Sequence, residues 1–168
     1  MKLKAIALST LMLTLAFFSC KKEAGQSTIN LRLTDAPATY DEVNIDLKQV
    51  QIKMANDSTS WQNLETTAGI YDLLKLQNGV DTLIGTGIFP EGTVKEIRLI
   101  LGNENTITEG GESYPLTIPS GSESGLKIKI NKKLNQDVET LVVDFDAALS
   151  VKKEGTGDYK LRPVLKLK

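Results

Sequence analysis

"VNIDLKQVQIKM", residues 43–54, alternates apolar and polar side chains with one flaw. Val43, Ile45 and Leu47 are apolar at odd positions, whereas Val50, Ile52 and Met54 are apolar at even ones. Successive side chains of a strand point to opposite faces, so this period marks a strand with one buried face. An unbroken strand would turn half of that face to water where the parity slips between Leu47 and Val50. One extra residue bulged out at Lys48 or Gln49 repairs the register, and the stretch therefore predicts a long, bulged strand.

The same alternation recurs along the chain at Ile29, Leu31 and Leu33, at Leu126, Ile128 and Ile130, and at Leu141, Val143 and Phe145. Turn residues separate these runs, among them Asp35-Ala36-Pro37, Asn78-Gly79, Pro90-Glu91-Gly92, Gly110-Gly111 and Gly155-Thr156-Gly157. Short strands at this spacing predict an all-β fold, a single antiparallel β-sandwich of immunoglobulin-like or prealbumin-like type. Only Tyr71–Gln77 (YDLLKLQ) has helical potential, and a strand or loop is expected there.

The N-terminus differs in kind. Lys2 and Lys4 precede Ala5–Phe18, an uncharged apolar block, which is shorter than the roughly 20 residues a membrane-spanning helix needs. It reads as a secretory signal peptide over residues 1–19. Ser19-Cys20 resembles a bacterial lipobox, and "FFSCKK" is similar to the looser signals of Bacteroidetes lipoproteins. That resemblance implies cleavage before Cys20, a lipid on its thiol and attachment to the bacterial outer membrane, facing the periplasm or the cell surface. Acylation also accounts for a lone cysteine in an exported chain. Residues 20–28 would be the lipidated cysteine and a polar tether, and residues 29–168 one domain.

Removing Lys2 and Lys4 shifts the balance of basic to acidic residues from 20 against 21 to 18 against 21. No basic run suggests a nucleic-acid partner. The absence of histidine and of a second cysteine removes the usual zinc and copper ligands and any internal disulfide. No cofactor is expected; the composition leaves open only an oxygen-bound cation such as calcium.

"LTDAPATYDEVNIDLKQVQI", "YDLLKLQNG", "FPEGTVKEIRLIL", "LTIPSGSESGLKI", "LVVDFDAALSV" and "YKLRPVLKLK" occur in the order seen in the DUF4382 family of bacterial envelope proteins. The resemblance runs from about Asn30 to Lys168. It implies a β-sandwich of unknown function, often carried on lipoproteins, and brings no catalytic residues with it.

Candidate chemistry must then come from the residues themselves. Asp144 and Asp146 flank Phe145 and in a strand would share one face, about 7 Å apart. Paired carboxylates at such a distance serve glycosidases, but two neighbours on one strand cannot approach a sugar from opposite sides. The same pair joined to Asp35 or Asp41 has the donors for calcium, without an Asp-rich loop to organise them. The plainer expectation is that Asp35 caps its own turn and the pair faces solvent or arginine. Trp61 reads as a core anchor or, with Tyr71 and Tyr114, as a sugar-stacking platform. The three arginines, Arg32, Arg98 and Arg162, all stand inside apolar strand stretches. Guanidinium suits cross-strand pairing with carboxylates, and a ladder on one outer face is expected, with Arg98 to Asp144 its leading pair.

Two functional classes follow. One is a lipid-anchored envelope module that binds a glycan or a partner protein; the other is an envelope hydrolase using Asp144 and Asp146. Catalysis is the weaker expectation, since no histidine and no serine-nucleophile signature is present.

Overall fold

The computed structural model describes residues 25–119, 125–155 and 157–168. The expected signal peptide, Cys20 and most of the expected tether lie outside them. Fourteen strands form among the described residues: β1 (Gln26–Thr34), β2 (Glu42–Met54), β3 (Asp57–Asn63), β4 (Glu65–Thr66), β5 (Gly69–Asp72), β6 (Thr82–Pro90) and β7 (Gly92–Leu101) in the first part. The second part holds β8 (Thr106–Glu109), β9 (Glu112–Thr117), β10 (Leu126–Leu134), β11 (Val138–Phe145), β12 (Val151–Lys153), β13 (Tyr159–Leu161) and β14 (Leu165–Leu167). One helical turn, α1 (Ala147–Ser150), follows β11.

The strands make two mixed sheets packed as a sandwich, and no barrel closes. The smaller has five strands in the order β14-β11-β1-β6-β4; the larger has nine and follows β10-β7-β2-β8-β9-β13-β12, with β3 and β5 also paired to β2. The sandwich is therefore not purely antiparallel. β1 runs parallel to β11, setting Leu31 opposite Leu141 and Leu33 opposite Val143, and β13 runs parallel to β9. Parallel neighbours need a long crossover between them. Here that crossover is almost the entire domain.

β2 behaves as its alternation requires. Val43, Ile45, Leu47, Val50, Ile52 and Met54 are all fully buried. Pairing with β7 shifts register between Leu47 and Gln49, so Lys48 is the bulged residue. Together with Ile29, Leu31 and Leu33 of β1, Ile97 and Leu99 of β7, and Val143 and Phe145 of β11, these side chains form one continuous core.

Tyr71–Gln77 is partly a strand, as expected, but Leu73–Leu76 is a single 3-10 turn. The physical reason is spacing: Leu73 and Leu76, three apart, fall on one side of a helix with three residues per turn and are both buried. Asp72 caps the turn by accepting the Leu74 amide hydrogen.

Candidate functional site

The acids expected to carry chemistry are instead built into the frame. Asp35, at the end of β1, is 2% exposed. Its Oδ1 accepts from the Ala147 amide at 2.8 Å and its Oδ2 from Gln77 Nε2 at 3.2 Å, so it ties two other segments together rather than capping its own turn. Burial pushes its carboxyl from 3.8 up to about 6, against the hydrogen bonds from Ala147 and Gln77, with the charges of Asp144 and Asp146 adding to the rise. Asp146 accepts from the Leu149 amide as the cap of α1. Asp144 is buried, with Lys166 Nζ 3.2 Å and Lys168 Nζ 3.5 Å from its Oδ2. Its Oδ1 has no hydrogen-bond partner among the described residues. Asp35, Asp144 and Asp146 thus meet at one end of the smaller sheet. Among the described residues no three acidic side chains converge closely enough to hold a metal ion.

The pair Arg98–Asp144 does not form. Asp144 lies on β11 in the smaller sheet and Arg98 on β7 in the larger, so no shared face exists on which to meet. Lys166 of β14, which is hydrogen-bonded beside β11, and Lys168 just past it reach Asp144 first. Arg32 pairs with Asp81 and Arg162 with Glu154, on separate parts of the surface. Arginine does bind carboxylates here, but in no common ladder.

Trp61 is not a core anchor. It stands half-buried on β3, with the Arg98 guanidinium 4.0 Å and Lys53 Nζ 4.6 Å from its ring centroid. β3 offers no second large apolar residue to make an inner face, so the indole lies over the cations of neighbouring strands. The expected platform of Trp61, Tyr71 and Tyr114 is also absent: Tyr71 is on β5, and Tyr114 on β9 packs elsewhere.

Tyr114 packs against Tyr159, with ring centroids 5.1 Å apart and planes tilted by 41°, a separation typical of attractive aromatic pairs. The parallel pairing of β9 and β13 sets Tyr159 opposite Leu116 and Lys160 opposite Thr117. Beside them a cleft of about 280 Å³ opens, lined by Tyr114, Pro115, Thr117, Asp158, Tyr159 and Lys160. A hollow of about 220 Å³ continues past Pro115 and Thr117 toward Asn103 and Asn105.

The charges behind this cleft are interlocked. Glu109 accepts from the Tyr159 hydroxyl and from Lys153 Nζ, which lies 4.9 Å from the Tyr159 ring centroid. The bonds from Tyr159 and Lys153 hold the Glu109 carboxyl below its ordinary range, while hydrogen bonding to Tyr159 and then to Glu109 pushes the Lys153 ammonium up. The Tyr114 hydroxyl is raised by its hydrogen bond to Glu112, and that of Tyr40 by burial and the nearby Glu109 charge. A concave site with aromatic walls, convergent polar groups and shifted titrations has the usual character of a binding site. Tyr159, Lys153 and Glu109 escape a reading of the sequence because the β12–β13 pairing sets Lys153 opposite Tyr159 and the β9–β13 pairing brings both to Glu109; the one local hint is an aromatic between opposite charges in Asp158-Tyr159-Lys160.

No curated protein and no solved structure matches this chain. Residues 26–163 match the family described as a domain of unknown function, DUF4382. That match spans all but the last strand of the sandwich, and the chain accordingly belongs to the DUF4382 family.

Proposed function

We propose that this chain is a binding module of the bacterial cell envelope, held to the outer membrane through a lipid on Cys20, and that it takes one sugar unit of a glycan into the cleft between β9 and β13. Tyr114, half-buried and backed by the buried Tyr159, carries the reading. Aromatic faces pack against the C–H faces of pyranose rings, and Thr117, Asp158 and Lys160 supply polar groups beside them. At about 280 Å³ the cleft lies just below the usual range for drug-sized ligands. It suits one ring better than an extended chain.

Hydrolysis receives no comparable support. Asp144 is sealed under Lys166 and Lys168, and Asp146 caps α1. Neither lines the cleft.

A glycan array probed with the full chain and with Tyr114→Ala tests the reading. Binding that disappears in the variant, with the melting temperature nearly unchanged, is expected. No glycan binding, or binding indifferent to Tyr114→Ala, overturns it; capture of an envelope protein that depends on Tyr114 would replace the glycan with a protein ligand.

A further inference from the structure

The outward face of the larger sheet gathers cations that are scattered in sequence. Strand register sets Lys127 opposite Arg98, Arg98 opposite Gln51, and Gln51 opposite Asn63, in one row across β10, β7, β2 and β3. In the next row Lys129 faces Glu96, and Glu96 faces Lys53, over which Trp61 lies. Among the described residues, these two rows hold four cations and one acid, Glu96, which is 3.6 Å from Lys53. The chain as a whole carries a net charge of -1. Such a local excess of one sign on a nearly neutral protein is a recognition feature rather than a solubility feature.

We propose that this face binds an acidic polysaccharide, a polymer bearing repeated carboxylates among hydroxyls. The rows span about 15 Å at roughly 4.8 Å per strand, so one small anion would meet only one or two of the cations. A polymer with repeated charges follows both rows from the exposed Lys127 and Lys129 toward Trp61. Lys127 and Lys129 are exposed and form no ion pair among the described residues. Arg98 Nε donates to Gln51 Oε1 at 2.8 Å and Gln51 Nε2 to Asn63 Oδ1 at 2.7 Å, so an oriented amide chain runs from the guanidinium to an exposed asparagine. Amides in fixed orientation suit hydroxyls between the charges.

Protection of an edge strand explains lysines on β10. It does not explain Arg98 and Lys53, which stand on interior strands and converge on Trp61. Base stacking by nucleic acid needs an open aromatic face, whereas cations lie over the Trp61 ring. Insertion into lipid needs exposed apolar side chains, and none of the large exposed ones, such as Ile88 and Val138, belongs to these rows. The surface is separate from the tyrosine cleft and stands or falls without it.

Trp61 is the only tryptophan, so its emission reports on this face alone. Titrating the full chain with polygalacturonate at low ionic strength should change that emission, and adding salt should reverse the change as screening shortens the reach of each charge. Lys127→Gln with Lys129→Gln should weaken binding about tenfold, while Lys152→Gln, an exposed lysine on β12, should leave it unaltered. Neutral amylose should have no effect. The proposal is overturned by absence of binding, by an affinity unmoved in the double variant, or by a preference for oligo-deoxythymidylate or phosphatidylglycerol vesicles over polygalacturonate.

Discussion

Asp35 Oδ1 accepts the Ala147 amide hydrogen at 2.8 Å, joining the end of β1 to the helical turn after β11 across 112 positions of sequence. Burial raises that carboxyl from 3.8 to about 6. Between those values the folded state holds a proton that the unfolded chain has released, so this group makes stability fall as pH rises through the window. At about 1.4 kcal/mol per pKa unit the effect reaches about 3 kcal/mol. Asp35→Asn abolishes the titration and keeps an oxygen for Ala147. Urea unfolding from about pH 4 to about pH 7 should show the variant gaining stability relative to wild type; parallel curves would mean that Asp35 stays ionised throughout.

Asp144 is buried beneath two lysines whose side chains are 62% and 47% exposed. Removing both cations by Lys166→Met and Lys168→Met leaves a buried carboxylate without compensation. Breaking a fully buried pair costs several kcal/mol, and solvent screening of these lysines reduces that to about 1–2 kcal/mol. In an Asp144→Asn background the same two changes should cost little. An undiminished cost there would show that the lysine stems act by packing.

Lys48 is the bulge that keeps both halves of β2 facing the core. Its deletion would turn Val50, Ile52 and Met54 outward, and at about 1.5–3 kcal/mol for each buried side chain the loss rivals the stability of a whole domain. The deletion variant should fail to melt cooperatively by circular dichroism, whereas Lys48→Ala should still fold. A cooperative transition in the deletion variant would show that β2 can slip its register.

Cys20→Ala should move the protein from the membrane fraction to the soluble fraction, because one change removes the thiol proposed to carry the lipid. Mass spectrometry of the mature wild-type protein should find a diacylglyceryl adduct at Cys20. A free thiol at that position would leave an ordinary signal peptide.

The sequence by itself determined what depends on near neighbours. Alternation along β2 and β1 announced strands, the parity slip announced a bulge at Lys48 or Gln49, which strand pairing assigned to Lys48, and Asn78-Gly79 and Gly110-Gly111 announced turns that do adopt positive φ. Each follows from side-chain period or backbone sterics within a few residues. Tertiary structure decided which strands became neighbours. The parallel pairing of β1 with β11 brought Asp35 to Ala147, the antiparallel pairing of β11 with β14 placed Asp144 beneath Lys166 and Lys168, and β9 beside β13 made the tyrosine cleft. Arg98 and Asp144 each look like half of an ion pair in the sequence, yet they fold into different sheets. Trp61 has the composition of a core residue and lies outside, because its strand has no second large apolar side chain to bury with it. Period-two patterns say which way a side chain points, and only the pairing of distant strands says what it will meet.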